Sequence, residues 1–101
     1  TEQVMPASAR QRKVAAAVQR ALGAALAADG GLHDQLVKRL GVTFTDIRMS
    51  PDVTKAYVRW TSLPGAEEAA LNELNRAAWQ LRRDIGRVAG LKRTPRLLFR
   101  E

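Results

Sequence analysis

Apolar residues recur every three or four positions through the first third of the chain: Val14, Ala17, Val18, Ala21, Leu22, Ala25 and Leu26. That period lays them along one face of an α-helix. Arg10, Arg12, Lys13, Gln19 and Arg20 fall mostly off that face. Ser8 offers a side-chain oxygen for the N-cap, and Asp29-Gly30-Gly31 supplies a stop, so the pattern predicts a helix from Ser8 to about Ala28. Leu32, Leu36, Val37 and Leu40 fit a second, short helix ended by Gly41, although the pattern alone leaves this segment open.

The period then changes. Val42-Thr43-Phe44-Thr45-Asp46-Ile47-Arg48-Met49 is rich in β-branched residues and reads as a strand. Its alternation slips between Phe44 and Ile47, as a bulge or partial cover of both faces requires. Ser50-Pro51-Asp52 signals a turn. Ala56, Val58 and Trp60 then alternate with Tyr57, Arg59 and Thr61, and the two strands read as an antiparallel hairpin with Trp60 inward. After Leu63-Pro64-Gly65 the helical period returns on Leu71, Leu74, Ala78, Leu81, Ile85 and Val88, with Glu67 and Glu68 suited to a helix N-terminus. An unbroken helix over residues 67–89 is about 35 Å long. A chain of this size has a radius of gyration near ~13 Å, so a kink or break near the helix middle is expected. Gly90 caps the helix, Lys92-Arg93-Thr94-Pro95 links, and Arg96-Leu97-Leu98-Phe99-Arg100 forms a last short strand.

The fold class is therefore α+β: helix, strand, strand, kinked helix, strand, with helices on one face of a three-stranded sheet. Residues 1–7 are expected to be a flexible tail and residues 8–101 a single domain. The chain starts at Thr1 without an initiator Met, and the expectation is that upstream residues were removed or not included.

Charge sharpens this picture. The formal net charge is +7, which favours a polyanionic partner. Residues 76–100 hold eight of the 17 basic residues and one acid, Asp84; the remaining nine and nine balance. The whole excess thus belongs to one segment. There is no cysteine, which excludes disulfides and thiolate metal sites and suits a reducing compartment. No apolar run approaches the ~20 residues of a membrane helix, and the N-terminus lacks the apolar stretch of a secretory signal.

Three stretches carry a family resemblance. Arg10-Gln11-Arg12-Lys13-Val14 opens the first helix, and residues 42–52 run from Val42-Thr43-Phe44 to Ser50-Pro51-Asp52. Most specific is Leu74-Asn75-Arg76-Ala77-Ala78-Trp79-Gln80-Leu81-Arg82-Arg83-Asp84-Ile85-Gly86-Arg87, followed by Leu91-Lys92-Arg93-Thr94-Pro95-Arg96-Leu97-Leu98-Phe99. Over residues 8–101 the chain resembles the ribosome-binding factor A family of bacterial small-subunit assembly factors, with their type II KH-like arrangement. The family's helix pair usually breaks at an Ala-x-Gly segment, for which this chain has Ala77-Ala78-Trp79. The usual tail after the last strand is expected to be missing. The resemblance implies binding to the immature small (30S) ribosomal subunit and its 16S ribosomal RNA. It also implies help in maturing the 5′ end of that RNA, importance for growth in the cold, no cofactor, and a cytoplasmic protein (or one of an organelle of bacterial descent) that is a monomer when free.

KH domains grip nucleic-acid backbone with a Gly-x-x-Gly loop, and no such tetrapeptide occurs here. The resemblance puts Ala77-Ala78-Trp79 in its place, while helix packing explains Ala78 equally simply. Arg76, Trp79, Arg83 and Arg87 are spaced to share one helix face. Their guanidinium forks match phosphates, and Trp79 either stacks on a base or tucks against the core. Arg82, Lys92, Arg93 and Arg96 add phosphate contacts; Arg10 and Lys13 extend the patch or are solvated. Tyr57 and Arg59 are left for the opposite sheet face, exposed or in RNA contact.

Catalysis is not supported. His33 is the only histidine, and no nucleophile elbow, P-loop or dinucleotide glycine pattern is present. Two other readings stand: a generic basic KH-like nucleic-acid binder (a ribosomal protein or a nucleoid protein), and an interaction module that pairs its residue 71–88 stripe with another helix.

Overall fold

The computed structural model describes residues 7–91 and 93–100, apart from the side chain of Val88. Residues 1–6, Lys92 and Glu101 lie outside them, and with them nearly all of the tail expected over residues 1–7.

Ser8 caps α1 (Ala9–Ala28) through a capping box: its hydroxyl accepts from Gln11 N–H, and the Gln11 side chain accepts from Ser8 N–H. Gln11 also donates to the Met49 carbonyl at 3.2 Å, tying the start of α1 to the sheet. The predicted face is the buried one, with Val18, Ala21, Leu22, Ala25 and Leu26 in the core and Val14 against it. At Asp29 the chain stops and restarts. The Asp29 carboxylate accepts from Leu32 N–H at 3.0 Å and caps α2 (Gly30–His33), which runs into a π-helical turn, Asp34–Arg39. Leu36 and Leu40 reach the core, and Gly41 turns the chain with φ +65°.

β1 (Thr43–Met49) and β2 (Lys55–Thr61) pair antiparallel, and the register slips between Phe44 and Asp46, where the alternation slips in sequence. Asp52 closes the hairpin: one carboxylate oxygen accepts from the Ser50 hydroxyl, the Thr54 hydroxyl and Thr54 N–H. These bonds hold its pKa down to about 2, the Thr54 side chain contributing most. α3 (Glu67–Ala89) crosses back, and β3 (Arg96–Arg100) pairs parallel with β2 to give the order β1-β2-β3. Ile47, Met49, Ala56, Val58, Trp60 and Leu97 point to one side of the sheet and meet α1 and α3 in one core.

Two expectations about α3 need correction. The helix is uninterrupted through Ala77-Ala78-Trp79, which excludes a break there, one of the two alternatives expected. Alanine is the best helix former and neither proline nor glycine interrupts that segment. A helix of this length overhangs a round molecule, whereas this one measures 36 × 36 × 17 Å and has room for it along a long axis. The buried stripe is also rotated: Ala70, Leu74, Ala77, Leu81 and Ile85 face the core, and Leu71 stands 37% exposed. Small alanines at 70 and 77 let α3 lie close to its neighbours, which swings Leu71 outward.

Candidate nucleic-acid interface

With Leu74, Ala77, Leu81 and Ile85 inward, helical geometry fixes what faces solvent. At 100° per residue, Arg76, Trp79, Arg83 and Arg87 fall within an arc of about 80° opposite the core. All four are exposed, Trp79 at 72%. That settles the choice for Trp79: its indole does not pack into the core. Arg76, itself exposed, pairs with half-buried Glu73 at 3.4 Å, one turn back, a contact that still leaves most of the guanidinium open to a phosphate. Among the described residues, Arg83 and Arg87 have no carboxylate within ion-pairing distance. Arg87 marks one edge of the face, beside Asp84, Gln80 and the α1 C-terminus.

The neighbouring flank carries Arg82. It is half-buried, donates one Nη to the Thr94 carbonyl at 3.1 Å, and keeps its Nε–H buried without a partner. Arg82 is thus a strut between α3 and the segment ahead of β3 as well as a cation. Gly86 makes the approach possible, since a Cβ there would overlap the Thr94 hydroxyl. Between this segment, the hairpin turn and the start of α1 lies a cavity of about 750 Å³. Arg10, Arg82 and Arg93 line it together with one carboxylate, Asp52, and the apolar Val14, Val53 and Leu91. Residues from opposite ends of the chain therefore act as one basic edge. A smaller cleft beside it, bounded by Trp79, Arg82, Arg83 and Thr94, joins that edge to the solvent face of α3.

Not every expected residue belongs here. Ala77 is 8% exposed and part of the core, so it presents no surface to RNA; Ala78 is half-buried. The alanines serve packing first. Lys13 is exposed one turn beyond Arg10, outside the cavity. Arg96 lies on the far side of the sheet, because Leu97 beside it points inward and strand neighbours alternate. Lys92 is not among the described residues. The cavity and the Gly86–Thr94 contact have no simple sequence signal, since both depend on where Leu91, Arg93 and Thr94 sit against the rest of the fold.

The family model described as ribosome-binding factor A matches residues 10–101. This chain belongs to that family. The ribosome-binding factor A of a Ruegeria species is 40% identical over 93 residues, covering 91% of this chain and 70% of the relative. A Thermotoga maritima protein solved by solution NMR, described as a putative ribosome binding factor A, matches with a TM-score of 0.74 at 27% identity, covering 97% and 92% of the two chains. A Thermus thermophilus family member, a homology model fitted into the cryo-EM map of its complex with 30S, matches with a TM-score of 0.68 at 30% identity, covering 86% and 89%. The family is one of ribosome-binding factors, and the α+β architecture here is the one its solved members share.

Proposed function

We propose that this chain binds the immature small ribosomal subunit through its 16S ribosomal RNA, using the solvent face of α3 and the basic edge around Arg10, Arg82 and Arg93, and assists maturation of the RNA's 5′ end. The observation that carries this reading is the alignment of Arg76, Trp79, Arg83 and Arg87 on one exposed face, with an indole that is 72% exposed among cations. Guanidinium groups bind phosphates, and an exposed indole gives an unpaired base a surface to stack on. Family membership narrows the partner, since the Thermus relative is placed in a complex with 30S.

The chain acts as a binding factor and not as an enzyme, in the cytoplasm where small subunits assemble. It works by occupying RNA, so affinity and timing of release are its functional quantities. The generic nucleic-acid-binder reading predicts no preference among RNA partners, and binding to immature particles separates the two.

Replacing Arg83, Arg87 and Arg93 together by alanine tests the interface. Each phosphate left without its arginine lowers the slope of log K against log salt by roughly 0.7–0.9, so the three together lower it by about 2. Circular dichroism should stay native, since all three side chains are exposed. Unchanged affinity and slope in a folded variant would remove α3 and its edge from the interface.

A further inference from the structure

The sheet has a second face, and among the described residues no element covers it. Residues of β1, β2 and β3 that do not point into the core share it in cross-strand rows. Arg48, Tyr57 and Leu98 form one row, and Asp46, Arg59 and Arg100 the next. Lys55 and Arg96 make a third. Five cations stand against one carboxylate, Asp46, which Arg48 engages at 3.0 Å. Lys55, Arg59, Arg96 and Arg100 are exposed and have no carboxylate in ion-pairing distance among the described residues. The middle of the face is different in kind. Tyr57 and Leu98 are half-buried, and the Arg100 guanidinium sits 5.0 Å over the Tyr57 ring.

Like charges directly opposite one another on neighbouring strands repel and weaken the pairing. Here Lys55 faces Arg96 and Arg59 faces Arg100. A polyanion laid across the strands removes that repulsion. A flat aromatic centre with a guanidinium stacked on it, ringed by cations, suits an unpaired base with its flanking phosphates. An acidic protein surface would satisfy the charge but has no use for the stacked pair.

We propose that this open face is a second RNA-binding surface, so that one chain holds two RNA segments at once, one against α3 and one against the sheet. The base stacks over Tyr57 and Arg100, and Lys55, Arg59 and Arg96 take the phosphates. The two surfaces lie on opposite sides of a two-layer body that measures 17 Å along its shortest axis. The molecule is then a thin spacer between RNA strands rather than a one-sided clamp. The RNA class of the partner rests on the function proposed above; the existence of a second surface does not depend on α3 being the first.

The test counts RNA per chain. The probe is a fluorescein-labelled, mixed-sequence single-stranded RNA of about 10 nucleotides, within the range one small domain engages. Native mass spectrometry gives the stoichiometry and fluorescence anisotropy the salt slope. Three chains are compared with wild type: a sheet variant (Lys55→Gln, Arg59→Gln, Arg96→Gln), an α3 variant (Arg83→Ala, Arg87→Ala, Arg93→Ala) and their combination. Two RNAs on wild type, one on each single variant and none on the combination is the expected result. The sheet variant should also lower the slope by about 2, at roughly 0.7 per phosphate. If the α3 variant keeps the wild-type count while the sheet variant binds one RNA fewer, the sheet surface stands and the α3 reading fails. If the sheet variant binds RNA as wild type does, the proposal is overturned, and a simultaneous drop in affinity for whole small subunits would assign the face to an acidic protein instead.

Discussion

Trp60 and Trp79 have opposite environments, and the difference assigns them opposite work. Trp60 is 1% exposed, in the core on β2 and paired across the sheet with Phe44 of β1. Replacing it with alanine should cost about 3–5 kcal/mol, readable as a lower denaturant midpoint. Trp79 stands 72% exposed, and its replacement should change stability by no more than ~0.5 kcal/mol while weakening RNA binding by ~1–3 kcal/mol. A large stability loss for Trp79→Ala, or none for Trp60→Ala, would contradict these positions. Alternation with Val58 and Ala56 is enough to read Trp60 from sequence; Trp79 is unreadable there, because its place depends on how α3 is rotated by one residue. Asp52 makes a separate prediction. Its folded pKa of about 2 lies below the ordinary 3.8, so the charged form is favoured by folding. The hairpin turn's stabilisation is therefore complete above the unfolded value and fades as pH falls from about 3.8 towards 2. In acid titrations followed by denaturant unfolding, Asp52→Ala should be less stable than wild type at about pH 6, and the gap should narrow across that window. A gap that stays constant down to about pH 2 would show that the carboxylate is not what holds the turn.

At the scale of elements, the junction between α3 and Thr94 leaves little room for change. Gly86 lets Thr94 sit against the helix, and Arg82 bonds the Thr94 carbonyl. An alanine at 86 forces the threonine side chain away, with a strain cost of about 1–3 kcal/mol that outweighs the helix-propensity gain. Gly86→Ala should therefore destabilise the wild type yet stabilise a Thr94→Ala background by up to ~1 kcal/mol. The sign change in thermal unfolding is the diagnostic; destabilisation in both backgrounds would place the strain elsewhere. Element order, the Ser8 cap, the hairpin and even the slip at Phe44-Thr45-Asp46 are legible in the sequence, because each depends on local spacing or a local hydrogen bond. The continuity of α3 is not, since an argument from average compactness cannot see that the body is flat.

For the molecule as a whole, linear charge clustering is a partial guide. Residues 76–100 hold the excess charge, and the sequence suggests one basic patch. The fold divides it: Arg76, Arg83, Arg87 and Arg93 stay with α3 and its edge, while Arg96 and Arg100 cross to the open sheet face, where they join Arg48, Lys55 and Arg59. Arg93 and Arg96 are three residues apart and lie on different surfaces, because β3 begins at Arg96 and imposes alternation. In the other direction, Arg10 reaches Arg82 and Arg93 only through the packing of α1 beside the hairpin turn. The central claim is selective recognition of immature small-subunit RNA. Co-sedimentation of the chain with immature and mature small subunits, at low and moderate salt, tests it most directly. Preferential binding to the immature particle, weakened by salt and by the Arg83, Arg87 and Arg93 replacements, is the predicted result. Equal binding to both particles and to unrelated nucleic acid would contradict it and leave a generic basic domain.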